Sequence, residues 1–206
     1  MNLTQWCVFS VLACTLSGAG AGVASAADLS VSGQIRAVSA CSIALGNGGV
    51  VDLGTISSKG FQGTAFAVDS NISLGIQCQA PTKVAFLFLD NRAGTSTQHN
   101  MFGLGSSGGK NVGVIALTLK EIFGDDAKLT HLVSWYGSNG WAQGWGDIKA
   151  EGLLLSSWAE PGQSLPQAFQ NISGELNVHS RIDHQDLDLS QEIAIDGSIT
   201  MELVYL

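Results

Sequence analysis

The sequence predicts an all-β protein, one domain folded as a β-sandwich, and three observations carry that expectation. From Ile193 to Leu206 the odd positions Ile193, Ile195, Gly197, Ile199, Met201, Leu203 and Tyr205 form one row, and the even positions from Ala194 to Glu202 are small or polar. Side chains on a strand point alternately to opposite faces, so this segment reads as a strand with one apolar face. The chain of 206 residues holds 26 Gly, only 3 Pro and 13% charged residues, which suits strands joined by Gly-rich turns better than helices. Seven or more short strand-like segments lie between turn signals, with no sustained helical periodicity, as expected of a sandwich.

In chain order, Leu29, Val31, Gly33, Ile35 and Ala37 alternate with Ser30, Ser32, Gln34 and Arg36 and read as a two-faced strand. Residues 50–54 read as a short strand. Ile72, Leu74, Ile76 and Cys78 alternate, and Val84–Leu89 is a continuous apolar run, as in a strand covered on both faces. Residues 91–111 form a Gly/Ser-rich loop, and 112–119 another strand. Residues 134–147 set Trp135, Tyr136, Trp141 and Trp145 among Gly and Ser. An apolar run covers 152–158, Pro161, Gly162 and Pro166 mark turns, and 168–182 alternates weakly. A polar loop at 183–190 precedes the final strand. A strand of that length needs a neighbour, from earlier in the chain or from another molecule.

Residues 1–26 read as a signal peptide and 27–206 as the exported domain. Trp6–Leu16 is apolar, small residues follow, and Ala24-Ser25-Ala26 is an A-x-A signal placing the cut between Ala26 and Ala27. The apolar run is too short to span about 30 Å of hydrocarbon. A lipoprotein cut before Cys14 is the weaker alternative. Cleavage removes Cys7 and Cys14, and the pair left in an exported chain, Cys41 and Cys78, reads as one disulfide.

A formal charge of -8 without a Lys/Arg cluster argues against nucleic-acid binding. Residues 103–108 match G-x-G-x-x-G and 105–109 match G-x-S-x-G, but both chemistries need a following helix, and a strand pattern follows instead. His179 and His184, with Asp183 and Asp186 near them, lack a metal-ligand spacing and read as solvated residues. No carboxylate pair stands at a spacing suited to acid–base work. No catalytic residue, cofactor or metal is expected. The aromatic group Trp135, Tyr136, Trp141 and Trp145 has two readings: a satellite core packed beneath its own loop, or a ligand loop that stacks on sugar rings. The residues favour packing.

The chain resembles chaperone-usher fimbrial subunits (pilins), most closely the β-type fimbrial major-subunit family. Gly33-Gln34-Ile35 before Ala40-Cys41 resembles the first pilin strand, and Ile76-Gln77-Cys78 the strand of its disulfide partner. Lys110–Val114 resembles the glycine-valine-glycine strand, and Asp196–Leu206 the pilin C-terminus with its penultimate aromatic. The resemblance implies an immunoglobulin-like sandwich lacking its seventh strand. A periplasmic pilus chaperone and an outer-membrane usher would fill the gap in turn and pass the subunit into a polymer with other fimbrial subunits at the cell surface. Ile193, Ile195, Gly197, Ile199, Met201, Leu203 and Tyr205 would line the acceptor groove. Leu29, Val31, Gly33 and Ile35 would be donor knobs. Only 27–32 precede Gly33 after the cut, fewer residues than polymerising pilins carry. Either the donor overlaps the first strand, or the subunit receives a strand and donates poorly, as at a tip. The resemblance implies a non-enzymatic structural subunit. The alternatives are a tip adhesin that binds a glycan receptor through the Trp-rich loop, and a self-sufficient periplasmic β-sandwich.

Overall fold

Two antiparallel sheets, stacked in a sandwich-like arrangement, share one apolar core. The computed structural model describes residues 40–150, 152 and 154–206. The signal segment, its cut at Ala26 and Ala27, and the donor row Leu29, Val31, Gly33 and Ile35 lie outside the described residues. Eight main strands follow in order: β1 Cys41–Leu45, β2 Phe66–Thr82, β3 Val84–Asp90, β4 Gly113–Gly124, β5 Thr130–Trp135, β6 Leu154–Ala159, β7 Phe169–Ile182 and β8 Ile199–Tyr205.

The first sheet has the order β1-β2-β7-β4, and the short strand Asp147–Ile148 lies beyond β4. The second has Ala142–Gln143 at one edge, then β5-β6-β3-β8. The period-two pattern explains the core. Leu74, Ile76 and Cys78 of β2, Phe86 and Phe88 of β3, and Ile115, Leu117 and Leu119 of β4 belong to one buried cluster. Trp158 of β6 meets Phe86 edge-on, with ring centroids 5.0 Å apart, a favoured aromatic geometry.

The disulfide joins Cys41 of β1 to Cys78 of β2, which are direct cross-strand partners. It fastens an edge strand to its sheet. Cross-linking residues 37 positions apart stabilises the fold by about 4 kcal/mol in the chain-entropy account.

The structure corrects several expected elements. Residues 50–54 are not a strand; they form part of an extended connection between β1 and β2. The loop 91–111 carries short pairings: Phe102–Gly103 on β4, and Ser106–Ser107 on Lys110–Asn111. Gly108 and Gly109 make that tight hairpin at φ 58° and 76°, a left-handed pair that two glycines adopt at little cost. The G-x-G-x-x-G stretch is thus a turn between strands. The final strand is shorter than its alternation. Ile199 pairs with Asp90, the last residue of β3, so residues 193–198 have no strand left to pair with on that side.

Candidate functional site: an open groove beside β8

The neighbour of the final strand is β3, paired from Ile199↔Asp90 to Tyr205↔Val84. The other edge of β8 pairs with no strand among the described residues. On the facing sheet β1 is likewise the last strand among the described residues, where it pairs with β2. A cavity of about 580 Å³ opens between the sheets on this side. Its floor is apolar: Ile115 and Leu117 from β4, Leu176 and Val178 from β7, and Phe88 from β3. The connections at 49–58 and 187–195 form its rim, with Val51, Ile56, Leu187 and Ile193 packed against the core.

Five of the seven expected groove residues line this cavity: Ile193, Ile195, Gly197, Ile199 and Met201. Leu203 packs on the core without reaching it. Tyr205 is exposed, and its hydroxyl accepts a hydrogen bond from the Cys41 backbone N–H at 2.9 Å. That bond links the edges of the two sheets at the disulfide end. Gly197 is crowded by its own core, because a Cβ there would lie 2.5 Å from Ile115 Cδ1.

The segment before β8 is held although it is not a strand. Arg92 grips Asp196 with two guanidinium contacts, Nε at 2.9 Å and Nη2 at 2.8 Å. This hydrogen-bonded pairing holds the Asp196 carboxyl below its ordinary range and the Arg92 guanidinium above its own. The Asp196 N–H donates to the Leu104 carbonyl at 3.0 Å, and the Asn91 side chain reaches Ser198 and Thr200. One flank of the groove is therefore fixed by polar contacts to the turn after β3.

The opposite side of the sandwich is closed. Residues 142–143 pair with β5 in one sheet, and 147–148 pair with β4 in the other. Gly146 stands between them. Its N–H donates to His131 Nδ1 at 3.0 Å, and its carbonyl accepts from the Leu119 N–H at 2.8 Å. Burial lowers the pKa of His131 to about 4, against the opposing pull of Asp147. The ring is neutral and serves as an acceptor.

The aromatic group is not a satellite core. Trp135 is 57% exposed, Tyr136 58% and Trp145 87%, while Trp141 is half-buried. Among the described residues the tryptophan inside the core is Trp158. The packing reading failed because Trp135 closes a strand, β5, that the Gly/Ser-rich composition hid, and Tyr136 stands in the turn that follows it. His179 and His184 part company as well. His179 meets Asp69 at 3.0 Å, whereas His184 stacks on Phe61 with centroids 4.4 Å apart.

Residues 29–112 match a family described as "Protein of unknown function (DUF1120)". That match takes in β1 to β3 and the loop to the start of β4. The chain is also 26% identical over 204 residues to the "Uncharacterized protein YhcF" of Escherichia coli (strain K12), across 81% of this chain and 85% of that protein.

Proposed function

We propose that this protein is a structural, non-enzymatic subunit of a bacterial surface fimbria. It passes through the periplasm, where a chaperone fills its groove with a strand, and reaches the surface through an outer-membrane usher and exchange with a neighbouring subunit. In this reading the domain is an immunoglobulin-like sandwich missing one strand between β1 and β8. The observation that carries it is the edge of β8, unpaired among the described residues, beside a cavity with an apolar floor and the row Ile195, Ile199 and Met201 along it. Burying four or five apolar side chains there stabilises by roughly 6–15 kcal/mol gross, comparable to the net stability of a whole domain. Ladder hydrogen bonds to the free edge add affinity, and alternate side-chain pockets fix register. An edge left open is a template for aggregation, which gives a chaperone its purpose.

The test is co-expression with the periplasmic pilus chaperone of the same organism, followed by co-purification. Ile199→Asp and Leu203→Asp each put a charge on the face that a guest strand would complete, and capture is expected to be lost. Retained capture by both variants would overturn the reading. So would a wild-type domain that purifies alone as a stable monomer with a high, cooperative melt, the behaviour of a self-sufficient sandwich.

A further inference from the structure

We infer that the hairpin over residues 130–148 is a binding platform for a neutral oligosaccharide. Four aromatics fall within eleven residues of it, and three of them are more than half exposed. Exposed aromatics in such number within one hairpin are unusual unless something covers them.

The backbone beneath Trp145 is fixed while its ring stands in solvent. Gly144 donates its N–H to the His131 carbonyl at 2.9 Å, and Gly146 is bonded to both sheets. Neither glycine has room for a side chain. A Cβ at 144 would meet His131 Nδ1 at 2.4 Å, and one at 146 would meet the Leu119 carbonyl at 2.5 Å. The turn after Trp135 is braced too. Ser138 donates its N–H to the Trp135 carbonyl, and Ser134 Oγ reaches both Ser138 Oγ and the Gly140 carbonyl. A ring presented on a rigid backbone loses little entropy when a flat ligand stacks on it.

The chemistry of the surroundings selects the ligand. Asp147 is the one charged side chain in 130–148, apart from the buried and neutral His131. A site for sialylated or sulphated sugars would need cations, and this hairpin has none. Its exposed large apolar residues are aromatic, without exposed Leu, Ile, Val or Met beside them, which fits sugar faces better than a protein partner. Asn139 and Gln143 add exposed amides that can both donate to and accept from hydroxyls. His131, beside Trp145, and Trp135 are four residues apart on β5, about 13 Å of strand. That length suits a chain of sugars rather than one ring.

The hairpin lies at the closed side, away from the groove, so this inference stands apart from the fimbrial reading. The experiment is a titration of the full mature chain, in the form in which it purifies, with cellohexaose, maltohexaose and a glycan array that carries both neutral and sialylated members. The readout is intrinsic tryptophan fluorescence and titration calorimetry. Binding to at least one neutral oligosaccharide is expected. Trp145→Ala and Trp135→Ala should each weaken it by about tenfold, with unchanged far-ultraviolet circular dichroism, and Trp145→Tyr should recover part of the loss. No binding to any neutral glycan would overturn the inference. So would binding that survives both alanine substitutions, or a preference for sialylated glycans.

Discussion

The two long sides of this sandwich are built in opposite ways. On the closed side a single stretch, 142–148, pairs with one sheet, crosses, and pairs with the other. Gly146 bonds to both sheets within one residue. On the open side β1 and β8 end their sheets with no strand between them among the described residues, and the bond from Cys41 to Tyr205 joins them at one end. The closed side is locked by backbone hydrogen bonds and a neutral histidine. The open side is braced along its margins, by the disulfide at β1 and by the Arg92–Asp196 pair before β8, while between them lies a cavity with an apolar floor. In the proposed fimbrial reading, a guest strand completes that edge.

The contrast can be broken first at the disulfide. Cys41→Ser or Cys78→Ser removes the covalent tie between β1 and β2, leaving only their ladder pairing, and should cost about 4 kcal/mol, a fall in Tm of roughly 8–16 °C for a domain of this size. Abundance of the protein in the cell should fall with it, and unchanged abundance and melting would show that β1 needs no fastening.

The closed side is probed by pH. The folded pKa of His131, about 4, lies below its unfolded value near 6.5. As pH falls the unfolded chain takes up the proton first. This contribution to stability is therefore complete above pH 6.5 and is lost as pH falls toward 4. The loss amounts to roughly 3 kcal/mol. The lowered carboxyls of Asp125, Asp188 and Asp196 act in a more acid range, because their stabilisation is lost only as pH falls through their own depressed values. Chemical denaturation at pH 7.5 and pH 4.5 should show the difference, and His131→Gln should flatten it. An equally steep profile in that variant would place the titrating group elsewhere.

The smallest effect is expected at the far end of the groove. Tyr205→Phe removes the hydroxyl that bridges to the Cys41 N–H and should cost about 1 kcal/mol. Guest-strand capture should remain.

Much of this was legible because alternation survives in the letters. Ile72 to Cys78, Val84 to Leu89 and Ile199 to Tyr205 each announce a strand, and each is one. Cys41, Ile43 and Leu45 also alternate, but five residues flanked by Gly46 and Asn47 are too short a signal to stand out. β5 was hidden for another reason: its residues straddle the start of a Gly/Ser/Trp stretch whose composition reads as loop. Residues 193–198 erred the other way. Their alternation is real and their isoleucines do pack on the core, but strand identity needs a partner, and β3 stops at Asp90. The apolar row from Ile193 to Tyr205 was readable from periodicity, whereas the rim residues 55–58 carry no alternation, because tertiary packing alone places them.

The most direct test is amide hydrogen exchange along β8, Ile199–Tyr205, in the purified chain alone and again with a captured chaperone. Alone, the N–H groups that point away from β3 should exchange rapidly, and capture should protect them while leaving the β3-bonded set unchanged. Protection of that outward set over the whole length of β8 in the isolated monomer would mean that the polypeptide already completes its own sheet, and would contradict the account.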